Sequence, residues 1–239
     1  RFITSRKKRK IAEDESASSF VGQFNDDEIK DAVAGYIVPH CSPSDPANRE
    51  GEEFLADTRE SIFSFFDRNV ESAKRSYNLL LSDTGMGKTS FCINYFVHLK
   101  NKYPHMGTCL ISLSSPDSLT HLDKIKNKSQ SILIADALDE DIESTGRGRD
   151  RLSDVLSAAS DFQMVIITCR SQYFMADDAI PRETPLPVLI PRALGQTHNF
   201  SLVRSYISPF DKKEINRYIS KHFPFWQPWK IPSRLRAVK

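Results

Sequence analysis

A chain of 239 residues, 39% of them hydrophobic, is long enough for one α/β domain with small additions and apolar enough for a core. Its 33 Lys and Arg against 31 Asp and Glu leave a net charge of +2, too small a surplus to argue for a nucleic-acid partner. No stretch is long enough to span a bilayer, and Cys41, Cys92, Cys109 and Cys169 lack metal-ligand spacing, which reads as a reducing compartment without disulfides.

Residues 1–24 read as a polar, mobile segment. Its run Arg6-Lys7-Lys8-Arg9-Lys10 is a solvated charge cluster, a juxtamembrane cluster if a membrane helix precedes residue 1, or a nuclear signal. Residues 25–75 form a helical lead-in. Asn25 caps a helix running to about Tyr36, with Asp26, Asp27 and Glu28 in its first turn. Pro39 to Pro46 is a loop. Phe54, Leu55, Ile62, Phe65, Phe66 and Val70 give residues 52–74 a helical period.

Residues 76–210 alternate. Strands are expected at Tyr77–Leu81, Thr108–Leu113, Ile132–Asp136, Met164–Thr168 and Phe200–Ile207. Helices are expected at Lys88–Lys100, Ser118–Lys126 and Asp150–Ser160. Pro181 to Pro191 is proline-broken, with Val188–Ile190 a short strand at most. A helix from Asp211 to Phe223 begins residues 211–239, read as the start of a further helical domain, and Trp226 and Trp229 as packing between domains. The chain starts without Met and stops soon after that helix, which reads as a fragment of a larger protein. The alternation predicts a mainly parallel sheet with right-handed crossovers.

Three motifs fall at the ends of these strands. After Leu79-Leu80-Leu81 comes Ser82-Asp83-Thr84-Gly85-Met86-Gly87-Lys88-Thr89-Ser90, a phosphate-binding loop with Ser82 where the first glycine is usual. Small residues let backbone N–H groups turn inward around a β-phosphate, and the following helix N-terminus adds a favourable dipole. Lys88 is the point charge between β- and γ-phosphates, and Thr89 is a Mg²⁺ ligand. The competing reading is a flexible turn that happens to carry a lysine.

The second motif is Ser131-Ile-Leu-Ile-Ala-Asp136-Ala-Leu-Asp139-Glu140, a buried strand ending in carboxylates where nucleotides bind. Asp136 is placed for the Mg²⁺ shell, and Glu140 or Asp139 for orienting or deprotonating the attacking water. The third is Met164 to Phe174, a β-branched strand ending in Thr168-Cys169-Arg170, whose arginine fork suits γ-phosphate oxygens. Its alternative partners are Asp177 and Asp178. Between them, Gly146, Gly148, Arg147, Arg149 and Arg151 form either a solvated loop or an arginine supply for a neighbour's γ-phosphate.

Together these motifs resemble the NACHT group of STAND signalling NTPases over roughly residues 50 to 225. The family loop Gly-Asp-x-Gly-x-Gly-Lys-Ser/Thr is matched from Ser82 to Thr89, and its Asp-Gly-Leu-Asp-Glu by Asp136-Ala137-Leu138-Asp139-Glu140. Its Thr-x-Arg is matched by Thr168-Cys169-Arg170, and Tyr206 to Phe210, Glu214-Ile215 and Tyr218-Ile219 resemble the segment that closes the nucleotide domain. Ala137 stands where glycine is usual and is expected to demand a negative φ. The resemblance implies a three-layer α/β/α P-loop NTPase using ATP/ADP and Mg²⁺. It also implies slow hydrolysis that controls homo-oligomerisation through flanking domains, in immune or antiphage signalling in the cytoplasm. ATP rather than GTP rests on the family, since no Asn-Lys-x-Asp motif is present. Two other classes stay open: a non-hydrolysing scaffold holding ADP, and a motor-type NTPase acting on protein or nucleic acid.

Overall fold

The computed structural model describes residues 19–22, 24–45, 59–72, 74–115, 117–123, 125–141, 148–174, 186–189 and 197–223. Its centre is an eight-stranded sheet built from β1 (Phe20–Val21), β2 (His40–Ser42), β3 (Glu60–Ser61), β4 (Ser76–Ser82), β5 (Gly107–Ser112), β6 (Ser131–Asp136), β7 (Met164–Arg170) and β10 (Leu202–Ile207). The spatial order is β1-β5-β6-β7-β4-β10-β2-β3, parallel from β1 to β10 and antiparallel at β2 and β3. The helices are α1 (Asp26–Val33), α2 (Ile62–Glu71), α3 (Lys88–Lys102), α4 (Ser118–Asp123), α5 (Gly148–Ala158) and α6 (Lys212–His222). A separate antiparallel pair joins β8 (Leu186–Leu189) to β9 (Thr197–Phe200).

Central strands are apolar at consecutive positions because both faces are covered. Leu79, Leu81, Leu133 and Ile167 point into one core with Leu122 of α4 and Leu152, Val155 and Leu156 of α5. Leu80, Ile134 and Ile166 point into the other, with Ile62, Phe66 and Val70 of α2 and Phe91, Tyr95 and Leu99 of α3. Two cores on opposite sides of one sheet make the three-layer α/β/α arrangement. Helix starts follow cap chemistry: Asn25 with Glu28, and Asp211 with Glu214, each form a reciprocal capping box.

Several expectations need correcting. Phe20–Val21, expected in a mobile segment, is a strand, because this apolar pair extends the sheet with Phe20 opposite Cys109. The expected loop from Pro39 holds β2, which pairs with the end of β10. The helix expected over residues 52–74 starts at Ile62 behind β3, and Phe54 and Leu55 lie outside the described residues. The single strand expected over Phe200–Ile207 is two, β9 and β10, broken at Ser201. Trp226 and Trp229 lie outside the described residues.

Helix α6 is tied to the sheet edge. His40 Nδ1 lies 2.8 Å from Glu214 Oε1, and Arg59 Nη2 lies 3.7 Å from the other carboxylate oxygen. Lys221 Nζ donates to the Tyr36 carbonyl at 3.1 Å. Among the described residues, no helix is long and apolar enough to cross a membrane, and all four cysteines are free and buried.

Candidate functional site

Strand order decides which residues meet. β7 lies between β4 and β6, with Ser82 in register with Arg170, Leu80 with Thr168, and Ala135 with Ile167. The three motif-bearing strand ends are therefore neighbours on one edge of the sheet.

The loop after β4 turns through two left-handed glycines, Gly85 at φ 79° and Gly87 at φ 85°. A Cβ at either would meet nothing within 4 Å, so glycine is required there by the backbone and not by space. Ser82 is buried and is not among the positive-φ residues, so a side chain there costs no backbone strain. Gly87 is the N-cap of α3 and offers no side-chain cap, so the first-turn N–H groups face the loop without one. Lys88 Nζ curls back to donate to the carbonyls of Ser82 and Asp83, each at 3.2 Å. Thr89 is exposed in the first turn of α3.

Asp136 is buried at the end of β6. Thr168 Oγ1 donates to its Oδ1 and accepts from Ala137 N at 3.0 Å. The Cys92 thiol, 3.5 Å from that same oxygen, is pushed well up in pKa by burial first and by Asp136 second, so it stays a protonated donor. Ala137 contradicts the expected negative φ: it sits at φ 63° and ψ 53°. Bonds from Ala137 N to Thr168 and from Glu140 N to Ala137 O at 3.1 Å hold it there, against a left-handed cost of about 1–2 kcal/mol.

The two remaining acids differ. The Asp139 side chain is 5% exposed and engages Arg170 twice, accepting from its backbone N at 2.9 Å and forming an ion pair with its Nε at 2.7 Å. Glu140 is 52% exposed and pairs with Arg170 Nη2 at 2.8 Å. Asp139 is thus committed to the arginine, while Glu140 stands at the open face. Asp177 and Asp178 lie outside the described residues. Arg151 is neither the solvated charge nor the arginine for a neighbour's phosphate that the sequence suggested: it is buried, with Nε 2.6 Å from Asp141 Oδ2. Gly146, Arg147 and the Arg149 side chain lie outside the described residues.

A cavity of about 500 Å³ opens beside Gly85, Met86 and Gly87. Its far walls are Tyr36 and Ile37 after α1, Phe210 after β10, and Tyr218 and His222 of α6. The rings of Tyr218 and His222 lie 4.3 Å apart. His222 Nε2 approaches the Gly35 carbonyl at 3.1 Å, and a Cβ on Gly35 would fall 2.6 Å from the ring, so only glycine at φ 79° admits this contact. Motif reading missed these walls, because residues 35 and 222 are 187 positions apart and share no local pattern. His40, Asp211 and Glu214 also converge, with ligand atoms within 4.8 Å, but the carboxylates cap α6 and Arg59 already faces Glu214.

A mainly parallel α/β/α sandwich with a Gly-Lys-Thr loop after β4, the strand ending in Arg170 beside it and the strand ending in Asp136 one further, has the fold of a P-loop NTPase. No protein-family model and no curated protein matches the chain. Among solved structures it is similar to domain III of the replication initiation protein DnaA from Thermotoga maritima, at 16% identity and a TM-score of 0.38 over 66% of this chain and 67% of that one. It is also similar to a chain of the HORMA:CdnC:Trip13 complex of E. coli MS115-1, at 11% identity and a TM-score of 0.37 over 72% of this chain and 61% of that one. Both likenesses are distant, and neither bears on activity.

Proposed function

We propose that this chain is the nucleotide-binding unit of an ATP/ADP switch of the NACHT-like STAND type. The observation that carries the reading is the register that sets Ser82 beside Arg170, with Asp136 one strand further along the same edge. The loop from Ser82 to Ser90 receives the phosphates on its inward N–H groups and the open N-terminus of α3. Lys88 exchanges its loop carbonyls for β- and γ-phosphate oxygens. The cavity walled by Tyr36, Ile37, Tyr218 and His222 receives base and ribose.

Thr89 and Asp136 are hard oxygen donors and fit Mg²⁺. Both donors to Asp136 meet Oδ1, and among the described residues Oδ2 is left for a cation shell. Mg²⁺ held by Thr89 and Asp136 would offset the negative charge of the phosphates. Glu140 accepts the proton of a water whose oxygen bonds to the γ-phosphorus as the bridging oxygen leaves with ADP. Arg170 faces the γ-phosphate and reports its presence. Nucleotide state then governs assembly with further copies, and a place in immune or antiphage signalling follows from the motif resemblance alone.

A second reading, a scaffold that holds ADP without hydrolysis, is favoured by one feature: Glu140 is ion-paired and so occupied. Titrating a fluorescent ATP analogue into wild type and Lys88→Ala, with phosphate release measured in parallel, tests both. Binding that is lost on substitution, with slow release by wild type, supports the switch. Equal affinities remove the phosphate-loop assignment, and binding without release favours the scaffold.

A further inference from the structure

The two acids after Ala137 hold Arg170 in unequal ways. Asp139, its side chain 5% exposed, holds the near end, accepting from the backbone N with one oxygen and ion-pairing Nε with the other. Glu140 touches only the far tip, Nη2, and does so at the surface, where Arg170 is 40% and Glu140 52% exposed. A carboxylate held by both a backbone bond and an ion pair outlasts a single exposed ion pair, which is worth little and yields to a stronger anion. The backbone under both acids is fixed, since Glu140 N bonds Ala137 O and Ala137 N bonds Thr168. Only side-chain rotation separates the paired arrangement from another one. Arg170 also stands in register with Ser82, the first residue of the loop.

We infer that Asp139 is a positioning residue on which Arg170 pivots, and that the arginine tip trades Glu140 for the γ-phosphate when ATP is seated. This rests on the nucleotide reading above and adds its regulation. Without a γ-phosphate, Glu140 stays paired and unavailable as a base. With one, the arginine is drawn to the phosphate and Glu140 is freed toward the attacking water. After phosphate leaves, the pair re-forms and turnover halts. One arginine thereby couples detection of ATP to arming of the base.

The exchange makes a thermodynamic demand. ATP must break the Arg170–Glu140 pair and ADP need not, so removing the Glu140 charge favours ATP alone. Calorimetry on the 239-residue chain with Mg²⁺, using a non-hydrolysable ATP analogue and ADP, tests it across wild type, Glu140→Gln, Arg170→Ala and the double variant. Glu140→Gln should bind the ATP analogue about 2–5-fold more tightly, the range of an exposed ion pair, with ADP unchanged. That gain should vanish when Arg170 is already absent. A gain that persists without Arg170 would show plain repulsion by the carboxylate and overturn the exchange, as would no gain at all. Asp139→Asn should weaken the ATP analogue and spare ADP, while a merely structural acid would affect both or neither. Arg170→Gln replaces Arg170→Ala if circular dichroism shows the latter unfolded. Lys88→Ala separates the two levels. If it binds both nucleotides as wild type does, the nucleotide reading itself has failed. If it loses both while Glu140→Gln gains nothing, only the exchange has.

Discussion

The crevice has two sides built on different principles. The strand-end side, with the loop, Asp136, Asp139 and Arg170, is held by hydrogen bonds and ion pairs between neighbouring strands, several of them buried. The cavity side joins the end of α1 to α6 through a glycine–histidine contact and a lysine–carbonyl bond. The first is rigid because moving any part breaks a buried polar bond. The second is a seam between segments far apart in sequence, held by fewer and more exposed contacts. The phosphate chemistry proposed above falls on the first side, where only the exposed Arg170 tip is proposed to move.

Substitutions on the two sides should behave differently, and the largest effect lies at the strand ends. Glu140→Gln should slow phosphate release by about 10²–10⁴-fold, the usual contribution of a positioned base, with nucleotide still bound. Unchanged turnover would take the base away from this acid. Lys88→Ala should weaken ATP and ADP analogues by about 2–3 kcal/mol, on the scale of charge-assisted hydrogen bonds. Tyr218→Ala, on the seam, should cost about 1 kcal/mol of affinity for both nucleotides alike, as loss of an aromatic contact does. A loss confined to ATP would erase the division between the sides. Ala137→Gly should raise stability by about 0.5–1 kcal/mol, because relief of the left-handed strain outweighs the added freedom of the unfolded chain. Thermal melting would register this as a rise of about 1–4 °C, and a fall would mean that the Ala137 methyl packs more than it strains.

The same division governs how much could be read from sequence. The strand-end side was legible because phosphate chemistry needs particular residues at fixed offsets from a buried strand, and Lys88, Asp136 and Arg170 stand at those offsets. The caps at Asn25 and Asp211 also follow local rules. Strands β1, β2 and β3 were not legible: two or three residues cannot display a period, and they exist only because a sheet edge is there to pair with. Arg151 read as a solvated charge because its partner, Asp141, lies ten residues away across a loop. Ala137 broke the local rule for its residue type because Thr168, on another strand, holds its backbone. The seam had no signature, since its contacts arise only when the sheet brings residues 35 and 222 together.

The central claim is that this edge of the sheet distinguishes ATP from ADP through Arg170. Calorimetry with Mg²⁺ and either ADP or a non-hydrolysable ATP analogue, on wild type and Arg170→Ala, tests it most directly. The account predicts that wild type binds both and that the substitution weakens the ATP analogue by at least about tenfold, the lower end of one charged hydrogen bond, while ADP binding is nearly unchanged. No binding by wild type, or a parallel loss for both nucleotides, would contradict it.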